Sequence, residues 1–271
     1  MIHILMSTYN GARYLAEQID SILAQTYIDW RLYIRDDGST DDTLRIVQNY
    51  AKKDKRISVL EDSDNLGACR SFERLLQTSD GAEYYAFADQ DDVWRPDKLA
   101  ILLKAIQEAE QEYPNLPIVV HSDLQVVDAQ LKEIAPSFWQ YSNLRPDIVD
   151  ANLHYLAICN TVTGCAMLFN RAARTYSLPF PQTAYMHDAW VALTAAAKGG
   201  KVIPLSATPI AYRQHSTNVL GAVRYSLLHK KWAQRKADAR RSYTMAHPLV
   251  FTNKMHFAYW KMVYFIHRQC S

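Results

Sequence analysis

Cysteine is scarce in this chain of 271 residues, which contains only Cys69, Cys159, Cys165 and Cys270. No two of them form a CxxC pair, and their spacing does not match that of a zinc site. The sequence therefore argues against a disulfide framework and against a zinc module. We expect four reduced thiols in a cytosolic protein.

Glycine-rich phosphate-binding motifs are also missing. The chain contains neither GxxxxGK[ST] nor GxGxxG, which argues against a P-loop and against a dinucleotide-binding fingerprint. Internal repeats and low-complexity segments are absent from the sequence. The net charge is +2, so the overall charge balance predicts no polyanionic partner.

Long apolar runs are absent too. The longest stretch without a charged residue covers residues 151–170, and polar side chains interrupt it at Asn152, His154, Asn160, Thr161 and Thr163. We expect a folded core segment there rather than a membrane span. The first ten residues, MIHILMSTYN, lack the basic flank of a signal peptide.

What the chain does contain is an alternation of strand-like and helical segments. Strands are predicted at residues 2–6, 30–39, 57–62, 84–89 and 117–128, and helices at residues 15–25, 41–53, 69–79 and 96–113. Ser39 or Thr40 is expected to cap the second helix, and Pro96 to begin the fourth. This order predicts an α/β fold with a Rossmann-like, mostly parallel sheet flanked by helices.

The pattern is less regular beyond residue 145. Residues 163–173 are typical of a strand and turn, residues 186–200 of a helix ended by Gly199, and residues 201–215 of two extended segments. The final fifty residues have a helical, amphipathic pattern.

Three polar loops, STYNG, RDDGSTDD and DQDD, follow predicted strands. Because ligands of parallel sheets bind beyond the carboxyl ends of the strands, we expect these loops to converge on one crevice. In the third loop, Asp89, Asp91 and Asp92 lie within four residues, and such crowding is costly unless a cation or donors offset the charge. Carboxylates one residue apart can hold Mg²⁺ or Mn²⁺. The alternative is a solvated acidic turn that caps the following helix.

Other candidate residues have two interpretations each. An Asp of RDDGSTDD can accept a hydrogen bond from a pyrimidine N–H, or it can simply cap a helix. Asp188 in MHDAW can be a general base, or a charge that stabilises a helix N-terminus. His215 in YRQHSTNVLG can bind a metal or a phosphate, or it can be structural.

Several ordered motifs together resemble a known family. They are LMSTYNGARYLAEQIDSILAQT, IRDDGSTDDT, DNLGACRSFERLL, FADQDDVWRPDKL, TGCAMLF, HDAW and YRQHSTNVLG. Over about residues 2–220 the chain resembles glycosyltransferase family 2, the inverting enzymes with the GT-A fold. Within that family it is most similar to bacterial rhamnosyltransferases of cell-wall or capsular polysaccharide synthesis.

The resemblance implies a role for each matching residue. The donor nucleotide would be bound by Ser7, Tyr9, Asn10, Asp37, Arg70, Asp89 and Gln90. Among these, Asp37 would accept from the pyrimidine N3–H. Mn²⁺ or Mg²⁺ would be held by Asp89, Asp91 and His215, with Asp91 as the direct ligand. Asp188 would be the catalytic base, although His187 stands where the family usually has a Glu.

The implied activity is inverting transfer of a sugar, L-rhamnose from dTDP-L-rhamnose, to a saccharide acceptor that can be attached to a polyprenyl diphosphate. A UDP-hexose donor is the first alternative. A nucleotidyltransferase would normally have a basic, Gly-rich first loop, and STYNGARY has one Gly and one Arg. The intact Asp89, Asp91 and Asp188 argue against a non-catalytic sugar-binding domain.

The C-terminal region is expected to differ from the rest. We predict a GT-A catalytic domain over residues 1–220 and an amphipathic helical region over residues 221–271. Residues 225–243 are basic, through Lys230, Lys231, Arg235, Lys236, Arg240 and Arg241, and include the apolar Leu227, Leu228 and Trp232. Residues 251–268 combine aromatics with cations. These features predict either packing on the catalytic domain, a peripheral contact with the inner face of the cell membrane, or a homodimer. We expect no nucleic acid partner.

Overall fold

The structure is a computed structural model that describes residues 1–62, 64–215, 232–247 and 249–270. The boundary expected near residue 220 lies outside these ranges, as do Leu227, Leu228, Lys230 and Lys231, so the division into two domains stays a prediction. The side chains of Trp232, Arg235 and Lys236 lie outside the description too.

Strands and helices alternate through the first half of the chain, as the sequence pattern predicts. The strands are β1 Ile2–Thr8, β2 Trp30–Asp36, β3 Ile57–Val59, β4 Tyr84–Ala88, β5 Val93–Trp94, β6 Ile118–Ser122, β7 Gln125–Val127, β8 Glu133–Ala135, β9 Met167–Asn170, β10 Lys201–Leu205 and β11 Ile210–Arg213. The helices are α1 Leu15–Leu23, α2 Thr43–Lys53, α3 Ala68–Thr78, α4 Lys98–Glu112, α5 Phe138–Tyr141, α6 Pro146–Val149, α7 Leu153–Ile158, α8 Arg171–Ser177, α9 His187–Ala197, α10 Trp232–Ala246 and α11 Lys254–Cys270.

The main sheet has seven strands in the order β10-β6-β9-β4-β1-β2-β3. All of its pairings are parallel except those of β9, which runs antiparallel to β4 and to β6. The expected α/β fold with a mostly parallel sheet is therefore confirmed. A second sheet, β5-β11-β7-β8, is built from strands of two to four residues, and the sequence pattern did not predict it.

The core lies on both faces of the main sheet because side chains alternate along each strand. On β1, Ile2, Ile4 and Met6 pack into one apolar cluster with residues of α1 and α4. Leu5 faces the opposite cluster, where residues of α3 and α9 meet the sheet. The sheet is therefore covered by helices on both faces, and its strand ends are left free to carry the polar loops.

The N-terminal cap predicted for α2 is wrong. Helix α2 begins after Asp42, and neither Ser39 nor Thr40 caps it. The Ser39 hydroxyl accepts from the Asn10 N–H (2.8 Å), and the Thr40 hydroxyl donates to the Asn10 side chain (3.3 Å). Both hydroxyl residues instead join the loop after β2 to the loop after β1, which stabilises the polar end of the sheet.

The C-terminal helices pack on the rest of the molecule. Helices α10 and α11 contact α7, and Met245, Phe251 and Phe257 are buried in the main core. The packing that the sequence predicted is therefore present in the described residues. Within these residues, no helix combines the length and the apolar character needed to cross a membrane.

Candidate active site

A cavity of about 400 Å³ opens at the carboxyl ends of β1, β2 and β4. Its size is that of a typical small-ligand pocket. The lining residues come from all three expected loops, from the segment leading into α3 and its start, from the turn before β9, from the start of α9 and from β11. They are Ser7, Tyr9, Asp37, Asn65, Gly67, Ala68, Phe72, Asp89, Gln90, Asp91, Thr163, Gly164, Met186, His187, Asp188 and Tyr212. The structure thus brings together residues that are up to 205 positions apart, from Ser7 to Tyr212.

Asp37 forms one end of this cavity. Its carboxylate accepts hydrogen bonds from the backbone N–H of Leu66 (2.8 Å) and of Gly67 (2.9 Å). It also accepts from the guanidinium of Arg35, which is fully buried. The same guanidinium bonds Asp62, the Ser71 hydroxyl and the Asp64 carbonyl. Arg35 therefore joins the end of β2 to the segment that leads into α3.

The first loop is held by reciprocal bonds. The Tyr9 N–H donates to Gln90 Oε1 (2.9 Å), and Gln90 Nε2 donates to the Tyr9 carbonyl (3.0 Å). A Cβ at Gly11 would lie 2.1 Å from Gln90 Oε1, so any larger residue there would displace the Gln90 side chain from these bonds. The Ser7 hydroxyl donates to Ser71 (2.6 Å). Ser7, Tyr9 and Gln90 all line the cavity, so these bonds shape its wall.

Asn10 and Arg70, which the resemblance assigns to the nucleotide, are not among the cavity-lining residues. Asn10 has a φ of 46°, and its side chain accepts from Thr40. The Arg70 guanidinium bonds Glu73 (2.7 Å) and the carbonyls of Phe180 (3.1 Å) and Pro181 (2.7 Å). Both residues therefore hold loops in place, and their assignment to the nucleotide stays a prediction.

The three acids after β4 occupy different environments. Asp89 and Asp91 line the cavity, whereas Asp92 is fully buried and accepts from the Arg213 N–H (3.1 Å). Oδ2 of Asp91 lies 2.8 Å from Nε2 of His215. His215 does not line the cavity itself but reaches its edge through this contact.

Burial and crowding disturb the ionisation of these groups. Burial, followed by the charges of Asp91 and Asp188, raises the pKa of Asp89 to about 7. Burial likewise raises the pKa of Asp92 and lowers that of Lys98, whose Nζ donates to the Cys165 carbonyl (2.7 Å). The cavity therefore presents acids whose charges are only partly offset.

Three side chains of metal-ligating type lie close together in the described residues. Ligand atoms of Asp89, Asp92 and Cys165 lie within 4.8 Å of one another. Burial raises the pKa of the Cys165 thiol well above its usual value, so it does not suit a hard cation as a thiolate ligand. The oxygen ligands of Asp89 and Asp91, with the imidazole of His215 beside Asp91, fit Mn²⁺ or Mg²⁺.

Asp188 lies in the first turn of α9 and faces the same cavity. One oxygen accepts from the Gly164 N–H (2.9 Å) and the other from the Ala189 N–H (2.6 Å). Burial nevertheless raises its pKa to about 6. A carboxylate with such a pKa suits proton abstraction near neutral pH.

His187 is a cavity residue for which sequence reasoning suggested no contact. Its ring stacks on Phe72 at a centroid distance of 3.9 Å and meets Phe87 edge-on at 4.6 Å. Neither ring nitrogen has a hydrogen-bond partner among the described residues. Burial lowers the pKa of His187 to about 3, so the ring is neutral and has one N–H donor and one acceptor nitrogen. Its position before Asp188 was the only signal in the sequence.

Solved structures share this architecture. TarS from S. aureus in complex with UDP-GlcNAc matches with a TM-score of 0.62 and 18% identity, over 93% of this chain and 74% of that chain. The mannosyltransferase PcManGT from Pyrobaculum calidifontis, in complex with GDP-Man and Mn²⁺, matches with a TM-score of 0.60 and 17% identity, over 97% and 74%. The fold is therefore the GT-A fold of glycosyltransferases.

The family follows from the sequence comparison. The model of Glycosyl transferase family 2 matches residues 3–176, which is more than half of the chain. The chain belongs to this family, as its motifs predicted.

Characterised and uncharacterised bacterial proteins are similar to the chain. A putative teichuronic acid biosynthesis glycosyltransferase, TuaG from Bacillus subtilis, is 26% identical over 86% of this chain and 86% of its own length. The dTDP-rhamnosyl transferase RfbG from Shigella flexneri is 39% identical over 35% of this chain and 34% of its own. An uncharacterized glycosyltransferase from Haemophilus influenzae is 31% identical over 59% of this chain, which spans half of that relative's length.

We predict that Arg35→Ala destabilises the chain by about 3 kcal/mol or more, because it leaves the buried Asp37 without its charged partner. Arg31→Ala is the matched control, since Arg31 is exposed on the same strand and its loss should cost less than about 0.5 kcal/mol. Urea unfolding followed by circular dichroism measures both changes. Equal unfolding free energies for the two variants would contradict the role given to Arg35.

Proposed function

We propose that the chain transfers L-rhamnose from dTDP-L-rhamnose, with inversion at the anomeric carbon, onto a bacterial surface polysaccharide or its lipid-linked precursor. The observation that carries the reaction class is the meeting of Asp37, Asp91 and Asp188 in one cavity. The rhamnose donor is supported by the similarity to RfbG, and the polysaccharide acceptor by the similarity to TuaG. The alternative donor is a UDP-hexose.

In this proposal, different residues of the cavity bind the nucleotide and the sugar. Asp37 accepts from the N3–H of the pyrimidine, which thymine and uracil share. Met186, His187 and Asp188 line the same cavity, and the sugar and the acceptor hydroxyl would meet beside them. The neutral His187 ring can hydrogen-bond a sugar hydroxyl without adding charge to the crowded acids.

Asp188 acts as the general base. It takes the proton of the acceptor hydroxyl while the hydroxyl oxygen bonds to the anomeric carbon. The bond between that carbon and the diphosphate oxygen breaks, and the electron pair leaves with the nucleoside diphosphate. Such base assistance typically contributes roughly 10²–10⁴-fold to the rate.

Asp89 and Asp91, with His215 beside them, would hold Mn²⁺ or Mg²⁺. When bound, such an ion supplies Lewis-acid stabilisation of the charge that develops on the leaving diphosphate. Burial, followed by repulsion from Asp91 and Asp188, raises the pKa of Asp89, and a divalent charge would offset that repulsion, which supports this assignment. The catalytic site would work in the cytoplasm, at the inner face of the membrane.

We predict that a panel of nucleotide sugars gives nucleoside diphosphate release with dTDP-L-rhamnose and Mn²⁺ or Mg²⁺, and that EDTA abolishes it. Asp91→Asn should strongly weaken metal-dependent donor binding measured by calorimetry. Asp147→Asn, a change at a largely exposed carboxylate outside the cavity, should not.

Three results would count against parts of this proposal. Release from a UDP-hexose alone would overturn the rhamnose donor. Full activity in EDTA would overturn the metal. Absence of release and of binding with every donor would overturn the donor class.

The raised pKa of Asp188 sets the pH dependence. Because the base must be deprotonated, kcat should be constant above about pH 6 and fall tenfold per unit below it. Asp188→Asn should lower kcat by roughly 10²–10⁴-fold and still bind the donor. A pH series of initial rates measures this, and a parent-like rate for Asp188→Asn would show that another group is the base.

A further inference from the structure

One side of α11 exposes apolar side chains to solvent. Met255, Tyr259, Met262 and Ile266 are separated by four, three and four residues, which places them on one side of the helix. Met255 is 83% exposed, Met262 56% and the neighbouring Phe265 63%. We call these five residues the outer face of α11. Contiguous exposed apolar surface of this kind marks an interaction site.

The opposite side of α11 is fixed to the domain. The Trp260 ring stacks on His154 at a centroid distance of 4.0 Å, and the Tyr264 ring lies 5.2 Å from that of Tyr155. Phe257 is buried in the core. The helix therefore cannot turn its outer face inward without exposing these aromatic rings.

Positive charge borders the outer face. Lys254 and Lys261 are exposed, and each directly precedes a methionine of that face. Helix α11 contains no acidic residue. Arg240 and Arg241 are exposed on α10, and Asp238 is the one acid in the sequence between residues 232 and 270. Whatever covers the outer face must therefore tolerate or neutralise cations.

A second copy of the chain does not meet this requirement. An isologous dimer through the outer face would bring two cationic helices together with no acidic residue on either copy of α11 to offset them. Stable dimer interfaces also use about 20–30 residues from each partner, and the outer face has five. An anionic surface is complementary to both the apolar residues and the lysines.

We propose that the outer face of α11 lies on an anionic phospholipid bilayer, with its apolar side chains at the acyl boundary and Lys254 and Lys261 at the headgroups. Interfacial helices combine an apolar side with flanking Lys or Arg, and aromatic side chains such as Tyr259 are favoured at headgroup depth. Each lysine near such a surface strengthens binding by about fivefold.

The placement of α10 gives this contact a use, which rests on the proposed function. Burial and the charge of Asp188 raise the pKa of Tyr185, whose hydroxyl hydrogen-bonds Ser242 of α10. Helix α10 thus lies beside the Asp188 end of the cavity, where the acceptor hydroxyl must arrive. A membrane-bound helix pair would hold that end near a lipid-linked acceptor.

Vesicle flotation of the full chain tests the proposal without any donor. We expect binding to vesicles of phosphatidylcholine with phosphatidylglycerol, weaker binding to phosphatidylcholine alone, and loss of binding at high salt. Lys254→Gln with Lys261→Gln should weaken binding about 25-fold. Met262→Ser with Ile266→Ser should abolish it.

Matched controls change the same residue types elsewhere on the surface. Two control variants carry changes at exposed positions of the catalytic domain. They are the double variant Lys52→Gln with Lys53→Gln and the single variant Ile28→Ser. Both should bind the vesicles as the parent does. Unchanged urea midpoints show that every variant is folded.

Two outcomes would overturn the proposal. The first is a parent chain that does not float, or outer-face variants that float as well as the parent. The second is a dimer in light scattering that Met262→Ser with Ile266→Ser converts to a monomer. Nucleoside diphosphate release, measured in parallel, reports separately on the proposed function.

Discussion

The constraint on which this molecule depends is the placement of carboxylates in a partly buried cavity, where each negative charge must be offset. Asp37 is balanced by the buried Arg35 and two backbone N–H groups, and Asp188 by the N–H of Ala189 in α9 and the N–H of Gly164 before β9. Asp89 lies near two further acids, and burial together with their charges raises its pKa to about 7. A site with this residual negative field is suited to a divalent cation and a diphosphate, which would complete the charge balance.

The rest of the fold holds these acids at their positions. Parallel pairing of β1 with β2 and with β4 brings three strand ends to one edge, and helix α9 brings Asp188 from the other side. Behind the cavity, Lys98 donates to the Cys165 carbonyl, and Asp92 accepts from the Arg213 N–H. The first contact ties α4 to the turn before β9, and the second ties β11 to the loop after β4. The positions of Asp89 and Asp91 are therefore fixed by packing that is not itself part of the cavity.

Sequence reasoning predicted those features that local patterns determine. The alternation of strands and helices predicted the α/β fold, and the rule that strand ends meet at one edge predicted the convergence of Asp37 and Asp91. Asp188, which lies on a helix, was assigned to the same site through the family resemblance. It did not predict the antiparallel β9 or the second sheet, because short strands carry too little periodicity and choose partners far away in the chain. Arg70 shows the same limit, since its guanidinium bonds carbonyls about 110 residues away. The cap at Ser39 or Thr40 was wrong because both side chains bond the neighbouring loop instead.

A crystal structure of the chain with dTDP and Mn²⁺, with the ion located by its anomalous signal, tests the central claim most directly. The account predicts the ion against Asp91, the thymine N3–H against Asp37, and the carboxylate of Asp188 facing the open end of the same cavity. An ion and a nucleotide bound elsewhere, with Asp37, Asp91 and Asp188 all free of ligand, would contradict it.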